Sequence, residues 1–547
     1  MSDAWPPLLL GAAVGLPLAM LFACASRRIR DSMLPFVAIA PVPALAAALL
    51  VADGPPLVIG EGRVRCVLAL DFAGSILLGV AALLWIAAGL YAASYMRDTP
   101  NRGRFTACWL MAAAGCLGAF IAADMISLYL LLALLTLGAC GMVLHDETAQ
   151  AWRSSAVYLG LALAGEALLL IGMVMLAQAT PGGSLLIRDA SAVLPSLPQR
   201  DLILGLLVVG LGLKAGLVPL HVWMPLAHAA APVPASAVLS GAVVKVGLIA
   251  LGRFLPFEAA LPEWGFALTA AGLFTALYGV AIGVTQAHPK AVLAYSSVSQ
   301  MGLIIAVLGM GLTAKETDAP LAAAYYASHH VLVKGALFLA VGVYAATGAR
   351  RAWPILVPVI VLALSLGGLP FTGGALAKYA VKGPLGEGLA GALANVSAAG
   401  TTLLMLHFVH RLRRSGAEDP AATAPRGLLL PWALIAVACI AVPWGMYLSV
   451  PGGIVANPLA PKALWAALWP MLAGAAVLLA LDRWARGRMP RVPQGDIAVI
   501  IDAVEGRAPG WCKRLARVDD ALRQWPAAAL SLVLVAVALG VAMLAGG

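Results

Sequence analysis

Charge is the scarcest ingredient of this chain: DEKR occupy 11% of its 547 positions, against about 25% in an ordinary soluble domain. Hydrophobic residues reach 62%, above the roughly 45–50% of soluble folds, so a water-soluble domain is excluded and a membrane protein remains. The seven cysteines, at 24, 66, 108, 116, 140, 439 and 512, include no CxxC pair and no His/Cys cluster with zinc or iron–sulfur spacing. No metal and no cofactor is therefore expected on the chain itself, and the cysteines read as helix-packing residues. The opening MSDAWPPLLL has no basic stretch before its first apolar run, and Arg27, Arg28 and Arg30 follow that run. This is the pattern of a retained first span. A formal charge of +10 would raise the question of nucleic acid in a soluble protein. In a membrane protein the placement of the positive charges matters instead, and no nucleic-acid partner is expected.

What is abundant is apolar sequence in span-length runs. Runs able to cross ~30 Å of hydrocarbon fall near 6–24, 34–52, 73–95, 106–122, 126–144, 156–177, 202–220 and 235–252. Others lie near 265–285, 293–311, 321–346, 354–378, 384–410, 427–449, 462–482 and 527–545. The expected fold is an all-α polytopic membrane protein of about 14–16 transmembrane helices. With the N-terminus outside, loops facing the cytoplasm hold about 23 Lys/Arg and the outer loops about 8, as the positive-inside rule requires. Residues 53–66 (DGPPLVIGEGRVRC) form a turn-rich outer segment compatible with a β-hairpin. Residues 483–525 mix Arg with Trp, Leu and Val and read as a basic amphipathic helix on the inner surface.

Four lysines, Lys214, Lys245, Lys334 and Lys378, fall within apolar spans. Each costs at least ~2.5–3.5 kcal/mol at the bilayer centre, so function is the default reading. Lys214 stands in LGLKAGLVPLHVWMPLAHAAAPVPASAVLSG, where Pro219 cannot donate to the carbonyl of Ala215, and Lys378 follows LGGLPFTGGALA, where Pro370 frees the carbonyl of Leu366. Broken spans at midplane mark ion sites in transporters. Tyr158 precedes Glu166 by the interval that separates Tyr326 from Lys334, and EALLL parallels KGALFL. Glu166 thereby takes the place in a first half that Lys334 takes in a second. His330 lies one turn before Lys334 on the same face, with His329 beside it, which makes a His–Lys proton relay. His221 and His228 flank the Pro-rich turn of the first break and serve either proton entry or the capping of freed carbonyls. Asp71 and Asp124 sit at outer span ends as hydrated interface anchors.

These motifs resemble one family. LKAGLVPLHVWMPLAHAAAPVPASAVLSGAVVKVGL, HPKAVLAYSSVSQMG, ASHHVLVKGALFL and the Gly/Pro break before Lys378 are similar to the proton-conducting antiporter-like subunits of respiratory complex I, membrane-bound hydrogenases and multisubunit cation/proton antiporters. The resemblance covers roughly 70–420. It implies two inverted repeats, each with a broken helix, and a hydrated lateral path through buried charges. It implies that Lys214 is the first half-channel lysine, Lys245 the connecting one, Lys334 with His330 the second relay, and Lys378 the exit-side residue. The expected segments are 1–105 (N-terminal helices and outer hairpin), 106–255 and 256–415 (the two half-channels), and 416–547 (C-terminal helices with the basic segment). Where the family reads something like FYxFWELMSL, this chain has LYLLLALLTL, which puts Ala133 at the glutamate position. Glu166 on the neighbouring span is expected to replace it as counter-charge to Lys214. No segment after the core spans resembles the long lateral helix of one complex I subunit, so the likeness leans to the hydrogenase and antiporter types.

The function expected is proton translocation within a larger assembly through Lys214, Lys245, His330, Lys334, Lys378 and Glu166. Partners would be other membrane subunits, a peripheral redox module and the lipid bilayer of a bacterial inner membrane. Na⁺ or K⁺ exchange for H⁺ is an alternative, as is a non-conducting anchor for a peripheral enzyme. A solitary solute carrier would need a cavity with varied polar groups rather than lysines and histidines in file.

Overall fold

A computed structural model describes residues 5–61, 65–386, 388–449, 457–484, 492–493 and 495–497. The chain divides into two units, Met1–Gln494 and Gly495–Gly547, and every element named below lies in the first. In order these are α1 (Trp5–Ala23), α2 (Arg27–Ser32), α3 (Val42–Leu50), the strands β1 (Leu57–Ile59) and β2 (Cys66–Leu68), α4 (Phe72–Tyr95), α5 (Arg102–Ile121) and α6 (Met125–Val143). Next come α7 (Ala149–Ala179), α8 (Ile187–Val193), α9 (Arg200–Ala215), α10 (Trp223–Ala230), α11 (Val233–Val238), α12 (Val244–Phe254), α13 (Pro262–Gly283) and α14 (Pro289–Ala314). The series ends with α15 (Ala319–Ala345), α16 (Trp353–Gly367), α17 (Gly373–Ala380), α18 (Lys382–Leu385), α19 (Leu389–Leu412), α20 (Arg426–Ser449) and α21 (Pro461–Trp484).

Thirteen of the described helices are long and apolar enough to cross a bilayer, with α9 and α10 counted as one and α11 and α12 as one. The protein is thus the all-α polytopic membrane protein its composition requires. Its outward faces are apolar, with Phe22 85% and Leu448 79% exposed, while Lys245 and Lys334 are 0% exposed. That inversion of the soluble pattern suits a lipid surround. The expected span at 34–52 is interrupted: Leu34–Phe36 is a 3₁₀ turn and α3 runs for nine residues. Pro35, Pro41 and Pro43 each remove a backbone donor that a continuous helix would need. The span near 527–545 and most of the basic segment at 483–525 lie outside the described residues.

β1 and β2 pair antiparallel, Val58 opposite Val67, so the turn-rich segment is a hairpin. It is tied down by Asp124, whose carboxylate accepts from Val67 N (2.6 Å) and from Ser127 N at the start of α6 (2.8 Å). Asp124 is 1% exposed, so it is a buried helix cap and not the hydrated anchor expected. Asp71 caps α4 by accepting from Gly74 N at 2.9 Å.

At the centre, α14 and α15 are enclosed by other helices along their whole spans. Backbones approach closely there because glycines face one another, as in membrane helix pairs generally. A Cβ on Gly272 of α13 would lie 2.5 Å from Gly302 O of α14, and one on Gly302 would lie 2.5 Å from Gly272 O. Replacing Gly272 with Val is therefore expected to force these two helices apart, at a cost of about 1–3 kcal/mol. The check is the thermal midpoint of the detergent-solubilised protein, which should fall; an unchanged midpoint would mean the pair is loosely packed.

Candidate functional site

Both broken spans end by the same local device. α9 stops at Gly216, φ +82°, with Leu217 N donating to Gly212 O (2.9 Å) and Gly216 N to Leu213 O (3.2 Å). α16 stops at Gly368, φ +98°, with Leu369 N donating to Leu364 O (3.2 Å) and Gly368 N to Ser365 O (2.9 Å). Each is a glycine-terminated Schellman closure followed by proline. The breaks are thus made by Gly216 and Gly368, which alone tolerate that left-handed backbone cheaply; Pro219 and Pro370, expected to break the helices, follow breaks already formed.

The freed carbonyls find different partners at the two breaks. At the first, the Trp223 indole donates to Leu213 O at 3.0 Å. At the second, Lys378 Nζ donates to Gly367 O at 2.5 Å. Lys214 is consequently free to turn sideways from the last turn of α9, where the helix dipole favours a cation. It pairs with Glu166 Oε1 at 2.8 Å, both side chains about 5% exposed. Thr136 completes the cluster: its hydroxyl bonds Glu166 Oε1 and accepts from Lys214 Nζ. Small residues let the helices come this close, since a Cβ on Gly210 would lie 2.7 Å from Gly165 O, next to Glu166. Ala133 lies one turn from Thr136 on α6, so the neighbouring span delivers the carboxylate to the face where Ala133 has none.

Lys245 stands just after a π-helical turn, Leu239–Val243, that joins α11 to α12. Such turns widen a helix and recur at functional sites. Its Nζ donates to Ser240 O within that turn (2.7 Å) and meets His330 Nδ1 at 2.6 Å. Lys334 donates to Leu293 O at 2.8 Å. The hydrogen bond made by His330 is therefore to Lys245 on another helix, and not to Lys334 one turn along its own as expected. His330 Nε2 has no partner among the described residues. His329, rotated about 100° from its neighbour, faces the second break and bonds Ser365 Oγ at 2.8 Å.

His221 and His228 are both 0% exposed. His221 packs edge-on against Tyr278, with centroids 5.2 Å apart. His228 lies against Phe338, and neither of its ring nitrogens has a partner among the described residues. Lys378 also lines a cavity of about 390 Å³, shared with Lys382 and Asn395. Polar residues that the sequence reading passed over fill the same interior: Ser240 and Ser297 pair at 2.7 Å, and Tyr326 donates to Gln300 Oε1 at 2.5 Å. Ser, Thr and Gln are common on membrane helices as packing groups, so only Thr136, one turn from the missing carboxylate position, carried a signal. Among the described residues no cluster of metal-ligating side chains forms.

Residues 122–386 match the family model described as NADH:quinone oxidoreductase/Mrp antiporter, TM. NADH-quinone oxidoreductase subunit N of Desulforudis audaxviator is 34% identical over 383 residues, covering 64% of this chain and 73% of that protein. Hydrogenase-4 component B of Escherichia coli is 28% identical over 295 residues, or 50% of this chain, which spans 43% of that longer protein. In fold, the chain superposes on the Mrp complex of a Dietzia species with a TM-score of 0.75 at 24% identity, covering 100% of this chain and 63% of that one. On this sequence match, with the multi-pass fold and buried charges in agreement, the chain belongs to the NADH:quinone oxidoreductase/Mrp antiporter family of membrane subunits.

Proposed function

We propose that this chain translocates protons as one membrane subunit of a larger assembly of the complex I, hydrogenase or antiporter kind. It would lie in a bacterial inner membrane with its N-terminus outside, the orientation that places its basic loops in the cytoplasm. The observation that carries the reading is the Lys245–His330 contact of 2.6 Å between two fully buried side chains. A proton held between two such nitrogens has a partner on either side, and a buried ionisable pair within membrane spans reads as functional by default.

In this reading Glu166 is the counter-charge that Lys214 meets at 2.8 Å. A proton released when the pair separates moves toward Lys245 and His330, from which it continues by Lys334 and His329 to Lys378. His228, buried with both ring nitrogens unengaged by the described residues, is an entry point between the basic loops and this line. The recurrence of one closure geometry at Gly216 and Gly368 supports two related half-channels. Redox chemistry would come from other subunits.

The test is to purify the assembly from its native membrane, identify its subunits by mass spectrometry, and reconstitute it in vesicles containing a trapped pH dye. Proton movement on supplying the driving reaction, absent in Lys245→Met, is expected; equal movement in both would end the reading. The antiporter in the family's description supports a second reading, exchange of Na⁺ or K⁺ for H⁺. A proton signal that appears only with one of those cations would select it.

A further inference from the structure

The ion pair between Asp71 and Arg253 separates two cavities. Arg253, near the end of α12, donates from Nη2 to Asp71 Oδ1 at 2.9 Å and to Phe120 O at 2.7 Å, and from Nη1 to Ala122 O at 3.0 Å. On one side lies a vestibule of about 410 Å³ against the hairpin, which Arg65 and Arg188 also line. On the other lies a crevice of about 230 Å³ between α4, α12, α14 and α15, room for several waters. Asp71 and Arg253 line both.

The inner crevice runs to Leu248 and Ile249 on α12 and to Ala327 on α15. These positions are one helical turn from Lys245 and from His330 respectively, the two residues that share the 2.6 Å contact. Apart from the ion pair, the described lining is apolar, which suits a passage that conducts only when wetted. Burial works against the charge on Asp71, and Arg253 together with the Gly74 N–H overcomes it, leaving the carboxyl below its usual range. The pair is thus kept charged, and its guanidinium lines both the vestibule and the crevice.

We infer that this crevice is a proton outlet from the Lys245–His330 link to the hairpin face, and that the Asp71–Arg253 pair is its gate. The crevice shares no lining residue with the cavity that Lys378 lines. Arg253 is a positioning and barrier residue: fixed to two carbonyls at the end of α5, it blocks return flow, while Asp71 is displaced from it to let a proton pass. The proposal rests on the proton-path reading above.

Four variants of the reconstituted assembly test it. Ala324→Phe fills the crevice and is expected to lower proton transport by at least about tenfold. A thiol placed by Ala327→Cys, in a Cys66→Ser background, should react with a small charged thiosulfonate added at the hairpin face. That reaction should quicken by about tenfold in Arg253→Gln, which keeps amide donors for the two carbonyls while removing the charge. Transport at the parental rate in Ala324→Phe overturns the outlet, as does an unreactive Ala327→Cys in both Arg253 backgrounds; the labelling decides alone if Ala324→Phe fails to fold. Lys245→Met separates the two readings: if it transports normally the proton path fails, and if it is inactive while Ala324→Phe is normal only the outlet fails.

Discussion

Glu166→Gln is expected to lower coupled proton transport by at least about tenfold, equivalent to ~1.4 kcal/mol on the rate-limiting step. The side chain keeps its shape and its bond to Thr136, and loses only the charge that pairs with Lys214 at 2.8 Å. Glutamine thus leaves Lys214 beside a neutral amide, without the counter-charge on which its part in the first half-channel depends. The fold should survive, with a thermal midpoint in detergent close to the parent's. The decisive variant is Glu166→Gln combined with Ala133→Glu. Ala133 lies one turn from Thr136 on α6, on the span where the family resemblance places a glutamate, so a carboxylate there should return part of the transport. Full transport in Glu166→Gln alone would mean Lys214 needs no counter-charge; no recovery in the double variant would mean that position 133 does not reach the lysine.

A larger loss, about a hundredfold or ~2.7 kcal/mol, is expected from Lys245→Met. Methionine fills much of the same volume but leaves Ser240 O and His330 Nδ1 without the partner they have in Lys245, at about 1–3 kcal/mol for each orphaned group. Thermal stability should therefore fall modestly, and transport in variants is compared per folded protein recovered in the vesicles. Lys245→Arg sharpens the test. Arginine keeps the positive charge but does not release its proton in proteins, so it should be as inactive as Met if Lys245 passes a proton on. If Lys245 serves only as a fixed charge, Arg should retain transport. A vesicle assay with a trapped pH dye reads both outcomes.

Much of the architecture was legible because hydrocarbon imposes a simple rule: about twenty apolar residues per crossing, every backbone group bonded within the helix. Among the described residues that rule failed at two runs: 34–52, where three prolines cut the apolar stretch into a 3₁₀ turn and a short helix, and 354–378, where α16 stops at Gly367 after 15 residues. It also made the four lysines conspicuous. The Glu166–Lys214 pair could be anticipated because Ala133 left a lysine without a carboxylate and one neighbouring span held a spare.

The partners of the remaining groups could not be read along the chain. His330 and Lys334 are correctly spaced for one helix face, yet Lys245 arrives from α12 at 2.6 Å and takes the imidazole. Asp71 and Arg253 look like unrelated surface charges until α4 and α12 bring them to 2.9 Å. Proline was the visible breaker in both broken spans, while the positive φ of Gly216 and Gly368 shows where the helices end.

By itself, then, the sequence determined the solvent, where most of the described crossings fall, and which side chains would be costly enough to matter, since each follows from transfer free energies of residues taken singly. The tertiary structure decided which nitrogen faces which, where a cavity opens and what closes it. Hydrogen bonds act over about 3 Å, a distance set by glycine-lined helix contacts and a π-helical turn rather than by spacing along any one helix.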